Sequence, residues 1–248
     1  MTVVSFSGIR FHYDEFIADV RRMSKLAEQF LETEAFGSLK TLETRLENLR
    51  NAAPGVSQNL SIPDEHPIVT KESTHYRGTD QKIAVKGKLS FVWGIVNSSE
   101  GKKRRTSFDL TGIASTRIRL FADGPEPIAH WQLETGDASS PGCHFHSSVN
   151  QAGENGIFPK WLKIPRLPGI LFSPMDGLEY MLGELFQEMW AQHVSKASDD
   201  RNGWAKSQSA RLQKVLSWQK DAINRNAFGT PWISLKRAKP PVDVLLEE

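Results

Sequence analysis

The sequence predicts an α+β fold: an N-terminal helical pair, an antiparallel β-meander of about four or five strands, and two C-terminal helices packed on one face of the sheet. Three observations carry this prediction. Apolar residues recur at helical spacing over residues 14–52 and again after residue 173. Between residues 82 and 135 they alternate with polar ones, the period of a half-buried strand. The helix–strands–helix order also lacks the repeated strand–helix alternation of doubly wound and barrel folds.

The first helical pattern runs over residues 14–34, with Phe16, Ile17, Val20, Met23 and Phe30 on one stripe and Arg21, Arg22, Lys25 and Glu28 off it. Phe36-Gly37-Ser38 offers a break and a fresh N-cap. Leu39, Leu42, Leu46 and Leu49 then continue at helical spacing until Pro54-Gly55. Whether 14–52 is one kinked helix or two stays open. Residues 54–80 have no clear period and read as a long connection or hinge, with room for a short hidden element. The division that follows is a helical segment over 1–53, a linker or long loop over 54–80, an α+β core over 81–228 and a mobile tail over 229–248.

The clearest strand pattern covers residues 82–96. Ile83, Val85, Leu89, Phe91, Trp93 and Ile95 lie on one face, and Gly87 interrupts it as a candidate bulge. After a polar turn, Phe108, Leu110, Ala114, Ile118 and Leu120 oppose Asp109, Thr111, Arg117 and Arg119. Asp123-Gly124-Pro125 turns the chain into a strand over 128–135.

That strand opens the most informative stretch. Residues 130–146 hold three of the seven histidines, a carboxylate and the single cysteine. Turn formers fill 136–142, so 128–135 and 143–149 read as a hairpin. Matching apolar to apolar side chains fixes its register. Trp131, Leu133, Cys143 and Phe145 then face the core, while His130, Gln132, Glu134, His144 and His146 converge on the other face. In this register Glu134 sits beside His144, and His146 beside Gln132. One reading of this face is a solvated or hydrogen-bonded polar layer. The sharper one is a metal site of Glu134, His144 and His146 for zinc, iron or manganese, with an open position that activates water and His130 in support. Of the two, the metal-free state is the expected one. In the enzyme reading, His130 and Glu134 shuttle protons.

Cys143 suggests a nucleophile. A regular strand points His144 away from it, and a cysteine among apolar neighbours is commonly inert core. The order of elements nevertheless resembles that of ubiquitin-conjugating enzymes: a helix, an antiparallel meander, His130 ahead of Cys143, then Trp161, a proline-rich segment and C-terminal helices. The resemblance implies a thioester role for Cys143. The His-Pro-Asn signature of that family is missing, and the only His-Pro pair, His66-Pro67, precedes the meander.

Residues 159–172 carry three spaced prolines, which exclude a helix and a central strand and leave an extended apolar strap. Ser173-Pro174-Met175-Asp176 is a helix start, followed by an apolar stripe from Met175 to Met189 and Trp190. A polar loop over 196–206 precedes a second helix over 207–226, with Leu212, Val215, Leu216, Gln219 and Ile223 on one face and a basic remainder. The tail ends in apolar anchors with acidic flanks, which suits docking to a partner.

Net charge is only +2, which gives no overall case for nucleic acid. Lys102-Lys103-Arg104-Arg105 reads as a solubilising hairpin tip. There is no signal-peptide pattern and no run of about 20 apolar residues, so no membrane role is expected. A lone cysteine favours a reducing compartment, the cytoplasm. The leading functional expectation is a cytoplasmic accessory protein that binds another protein. The competing expectations are a metal-dependent, hydrolase-like enzyme and a cysteine-based conjugation factor.

Overall fold

The computed structural model describes residues 9–74, 83–98, 106–135, 143–149, 167–170 and 173–240. The elements are β1 (Arg10–His12), α1 (Tyr13–Leu26), α2 (Thr33–Arg50), β2 (Ser57–Ile62), β3 (Ile68–Val69), β4 (Lys86–Ser98), β5 (Ser107–Phe121), β6 (Ala129–Thr135), β7 (Cys143–Val149), β8 (Leu167–Pro168), α3 (Pro174–Ser195), α4 (Asp199–Arg225) and α5 (Pro231–Arg237). The fold is α+β, as the periodicities predict, but the sheet is larger, with eight antiparallel strands.

The sheet runs in the order β2-β4-β5-β6-β7-β8. Its extra strands come from pieces too short or too polar to show a period. β2 and β3 both lie along β4, so the 54–80 stretch supplies sheet and not only a connection. β1 pairs with Ser107–Asp109 of β5, on the flank that β6, paired with residues 114–120, leaves open.

The predicted alternation holds in β4 and β5: Leu89, Phe91, Trp93, Ile95, Phe108, Leu110, Ile118 and Leu120 are all buried. Ile83, ahead of the strand, is exposed. Gly87 is not a bulge. It pairs regularly with Leu120, and a Cβ there would come within 2.5 Å of Met181 Sδ. The glycine is the close-approach point of α3. The irregularity lies further on, where Val92 pairs with Ser115 but Gly94 with Thr111. β5 therefore carries extra residues opposite Trp93, around Gly112 at φ +65°. The insertion is even, so the inside–outside parity of β5 survives it.

The N-terminal helical pair is two helices, and the break comes earlier than Phe36-Gly37-Ser38, which lies within α2. Tertiary pairing sets the break. Leu31 is extended and bridges Thr70, the Glu32 amide donates to the Val69 carbonyl, and the Lys71 amide donates to the Phe30 carbonyl. β1 and α1 then place Phe11 and Phe16 against Trp93 and Phe108, with ring centroids 5.4–6.0 Å apart.

α3 begins as predicted. Ser173 accepts from the Asp176 amide, Asp176 returns the bond to the Ser173 amide, and Pro174 occupies the first turn. Met175, Leu178, Met181, Leu182, Leu185 and Phe186 are buried, with Met181 and Leu185 against Gly87 of β4 and Phe186 against Phe30. At Gln187 the backbone turns to φ 38°, so the last turns are re-aimed. Trp190 packs on Phe30, and Met189, expected in the stripe, is exposed.

α4 starts earlier than predicted, capped by Ser198, and the polar loop shrinks to a few residues. It packs mainly on α1 and not on the sheet. Its inner side is Trp204, Val215 and Ala222, with Leu216 and Ile223 exposed. Arg211 is not part of a solvated basic face. Its guanidinium donates to Asp19 of α1 at 2.5 Å and Asp176 of α3 at 3.0 Å; both carboxylates are buried and the arginine is largely so. α5 packs on the end of α4 within the expected tail. Among the described residues, no helix is long and apolar enough to cross a membrane. Residues 102–105, the turn over 136–142, most of the proline-rich strap including Trp161, and the last residues of the tail lie outside the described residues.

Candidate functional site

The helices that contact the sheet leave its other face to the even positions of β4, β6 and β7 and the odd ones of the second half of β5. Apolar residues on the helical side hold the hairpin in register. Leu133 is paired with Phe145, and Trp131 and Phe145 lie edge-on to Tyr180 of α3. Glu134 consequently pairs with His144, and Gln132 with His146, the register that apolar matching predicts.

Glu134, His144 and His146 each offer a donor atom, and these three atoms all lie within 4.8 Å of one another. His146 Nε2 stands 3.3 Å from Glu134 Oε2. The two atoms make no hydrogen bond, and among the described residues Nε2 is buried with no hydrogen-bond partner. Gln132 Nε2 donates to Glu134 Oε1 and, at 3.0 Å, to Ser115 Oγ, which anchors the carboxylate to β5. The His144 and His146 rings are 5.8 Å apart. Burial pushes the His144 pKa down, and the neighbouring His146 adds to this. A neutral imidazole is the form that binds metals.

His130 pairs with Ser148 and is a diagonal neighbour of His146. Its Nε2 is also buried without a hydrogen-bond partner. Burial lowers its pKa first, and the guanidiniums of Arg117 and Arg119 lower it further. These arginines are the cross-strand partners of Gln132 and His130. Asp64, from the turn after β2, binds Arg119 at 2.5 Å and accepts from Ser90 Oγ.

Cys143 is not brought to this face. It pairs with Thr135, its side chain is buried, and burial, with Asp176 nearby, pushes the thiol up to about 12. At neutral pH it is protonated and shielded, the state of an inert core thiol.

Sequence reasoning picks out the hairpin residues but misses Asp64, Ser115 and the two arginines as members of the same face. The signal for the arginines is present: Arg117 and Arg119 are the polar half of the β5 alternation. Asp64 has no such signal, because β2 shows no clear period. Comparison with protein-family models, curated proteins and solved structures finds no match.

Proposed function

We propose that the hairpin binds one divalent transition-metal ion through Glu134, His144 and His146, and that the protein is a metal-dependent hydrolase. The observation that carries this is the convergence of one carboxylate and two imidazoles from paired strands within 4.8 Å. Two nitrogens and one oxygen suit zinc, ferrous iron or manganese. Metal–ligand bonds of about 2.0–2.2 Å ask these side chains to close by roughly an ångström, within the range of rotamer adjustment. Three protein ligands leave a position for water, whose pKa the ion lowers. His130 stands diagonal to the site as the base, and Gln132 orients Glu134. The reading includes a cytoplasmic location, supported by the lone cysteine.

The test is elemental analysis of protein purified without chelator and incubated with each ion. The expected result is about one ion per chain, lost in Glu134→Gln and in His144→Ala/His146→Ala while circular dichroism stays native. Wild-type protein that takes up none of the three ions overturns the reading.

The sheet face itself favours a second reading, an accessory protein that docks another protein there. Val92 stands 55% exposed beside the half-exposed Arg117, an apolar and a charged anchor side by side. That reading expects no metal and no loss of fold when both histidines are replaced.

A further inference from the structure

We infer that the substrate of the hairpin site carries a phosphate group, gripped by Arg117 on β5 while the metal holds another of its oxygens. This rests on the metal reading above. The pairs Ser115–Glu134 and Arg117–Gln132, continued by Glu134–His144 and Gln132–His146, put all these side chains on one face. The donor cluster thus spans β6 and β7, and Arg117 stands on the next strand. Strand spacing sets the β5-to-β7 separation at about 10 Å, a gap that one tetrahedral anion and an arginine side chain fill.

A cleft adjoins Arg117 on the side away from the donors, and none of Glu134, His144 and His146 lines it. Gln132 Nε2 donates both to Glu134 and to Ser115 Oγ, and Ser115 lines a cleft of about 240 Å³ with Arg117, Ser90 and Val92. Asp64 borders the cleft as well, but it is committed to Arg119 at 2.5 Å, whereas Arg117 lies 3.9 Å from it. Among the described residues this long contact is the only ionic partner of Arg117, whose side chain is 49% exposed. A guanidinium fork is therefore available beside the donors. A fork binds two oxygens in parallel. A carboxylate would spend both of its oxygens there and leave none for the metal. A phosphate monoester has a further oxygen to give, so it reaches both fork and ion.

The reaction that follows is ester hydrolysis. An ion held by Glu134, His144 and His146 would activate a water, whose oxygen would bond to phosphorus as the bond to the ester oxygen breaks. The proton of the water passes to His130, a solvent proton goes to the leaving oxygen, and the products are an alcohol and inorganic phosphate.

The test uses the metal-loaded full chain, with metal content measured in every sample. Inorganic phosphate and acetate are titrated calorimetrically into wild type, Arg117→Gln and Arg117→Lys. Phosphate should bind the wild type and weaken by about tenfold or more in Arg117→Gln, with metal content unchanged. Arg117→Lys should recover only part, and acetate should be insensitive to the change. Phosphate binding that ignores Arg117, absent binding to metal-loaded wild type, or acetate that matches phosphate overturns the inference and leaves the metal site standing. A chain without metal defeats both.

Discussion

His144 couples the site to stability. Its folded pKa lies below the ordinary value of about 6.5, so the unfolded chain binds more protons near and below that pH. The stabilisation it gives is present above pH ~6.5 and is lost as pH falls from there through the folded value. The denaturation midpoint in urea should therefore drop between pH 7.5 and 5.5. The slope should flatten in His144→Gln, a comparison that cancels the opposite contribution of the buried carboxylates Asp19 and Glu179, both held high by burial. An unchanged slope in the variant would show that His144 is not the group. At the same scale, Cys143 should react with iodoacetamide in the native protein far more slowly than in guanidinium, because its thiol is buried and protonated. Equal rates, followed by mass spectrometry, would remove it from the core.

Among the elements, α3 and α4 each carry a contact that a single substitution tests. A methyl group added in Gly87→Ala runs into Met181 Sδ at 2.5 Å and Leu185 at 2.9 Å, so these side chains or α3 must shift. The expected cost is about 1–3 kcal/mol in denaturant unfolding. Arg211→Ala strands the carboxylates of Asp19 and Asp176 away from water, at a cost of about 3–5 kcal/mol, and adding Asp19→Asn should recover part of it. If the single variant is as stable as wild type, the cluster is not holding the three helices together. These elements also mark what the sequence reveals. The β4–β7 meander and the hairpin register are legible because each strand alternates for its whole length and one apolar face has to be buried. β1 is too short to show a period, and β2 has only Leu60 and Ile62 to bury. The first half of α4 hides because it is anchored by Trp204 and a charged Arg211 instead of an apolar stripe. The helix break at Leu31 is decided by Thr70, far away in sequence.

Over the whole molecule, one core runs from Phe11 and Phe16 through Trp93 and Leu89 to Met181 and Trp190. Tryptophan fluorescence and far-ultraviolet circular dichroism should therefore report a single coincident unfolding transition. Two separated transitions would divide the chain into independent units. β1 has a wider consequence. It completes β5 beyond the end of β6, and the bonds Leu110 N to Ile9 O and Tyr13 N to Thr106 O extend that pairing at both ends. Removal of residues 1–12 uncovers a row of amide and carbonyl groups at the start of the sheet's longest strand. Such a row is a template for any extended chain, a second molecule included. Protection of this edge from pairing with another chain thus depends on the three-residue strand β1.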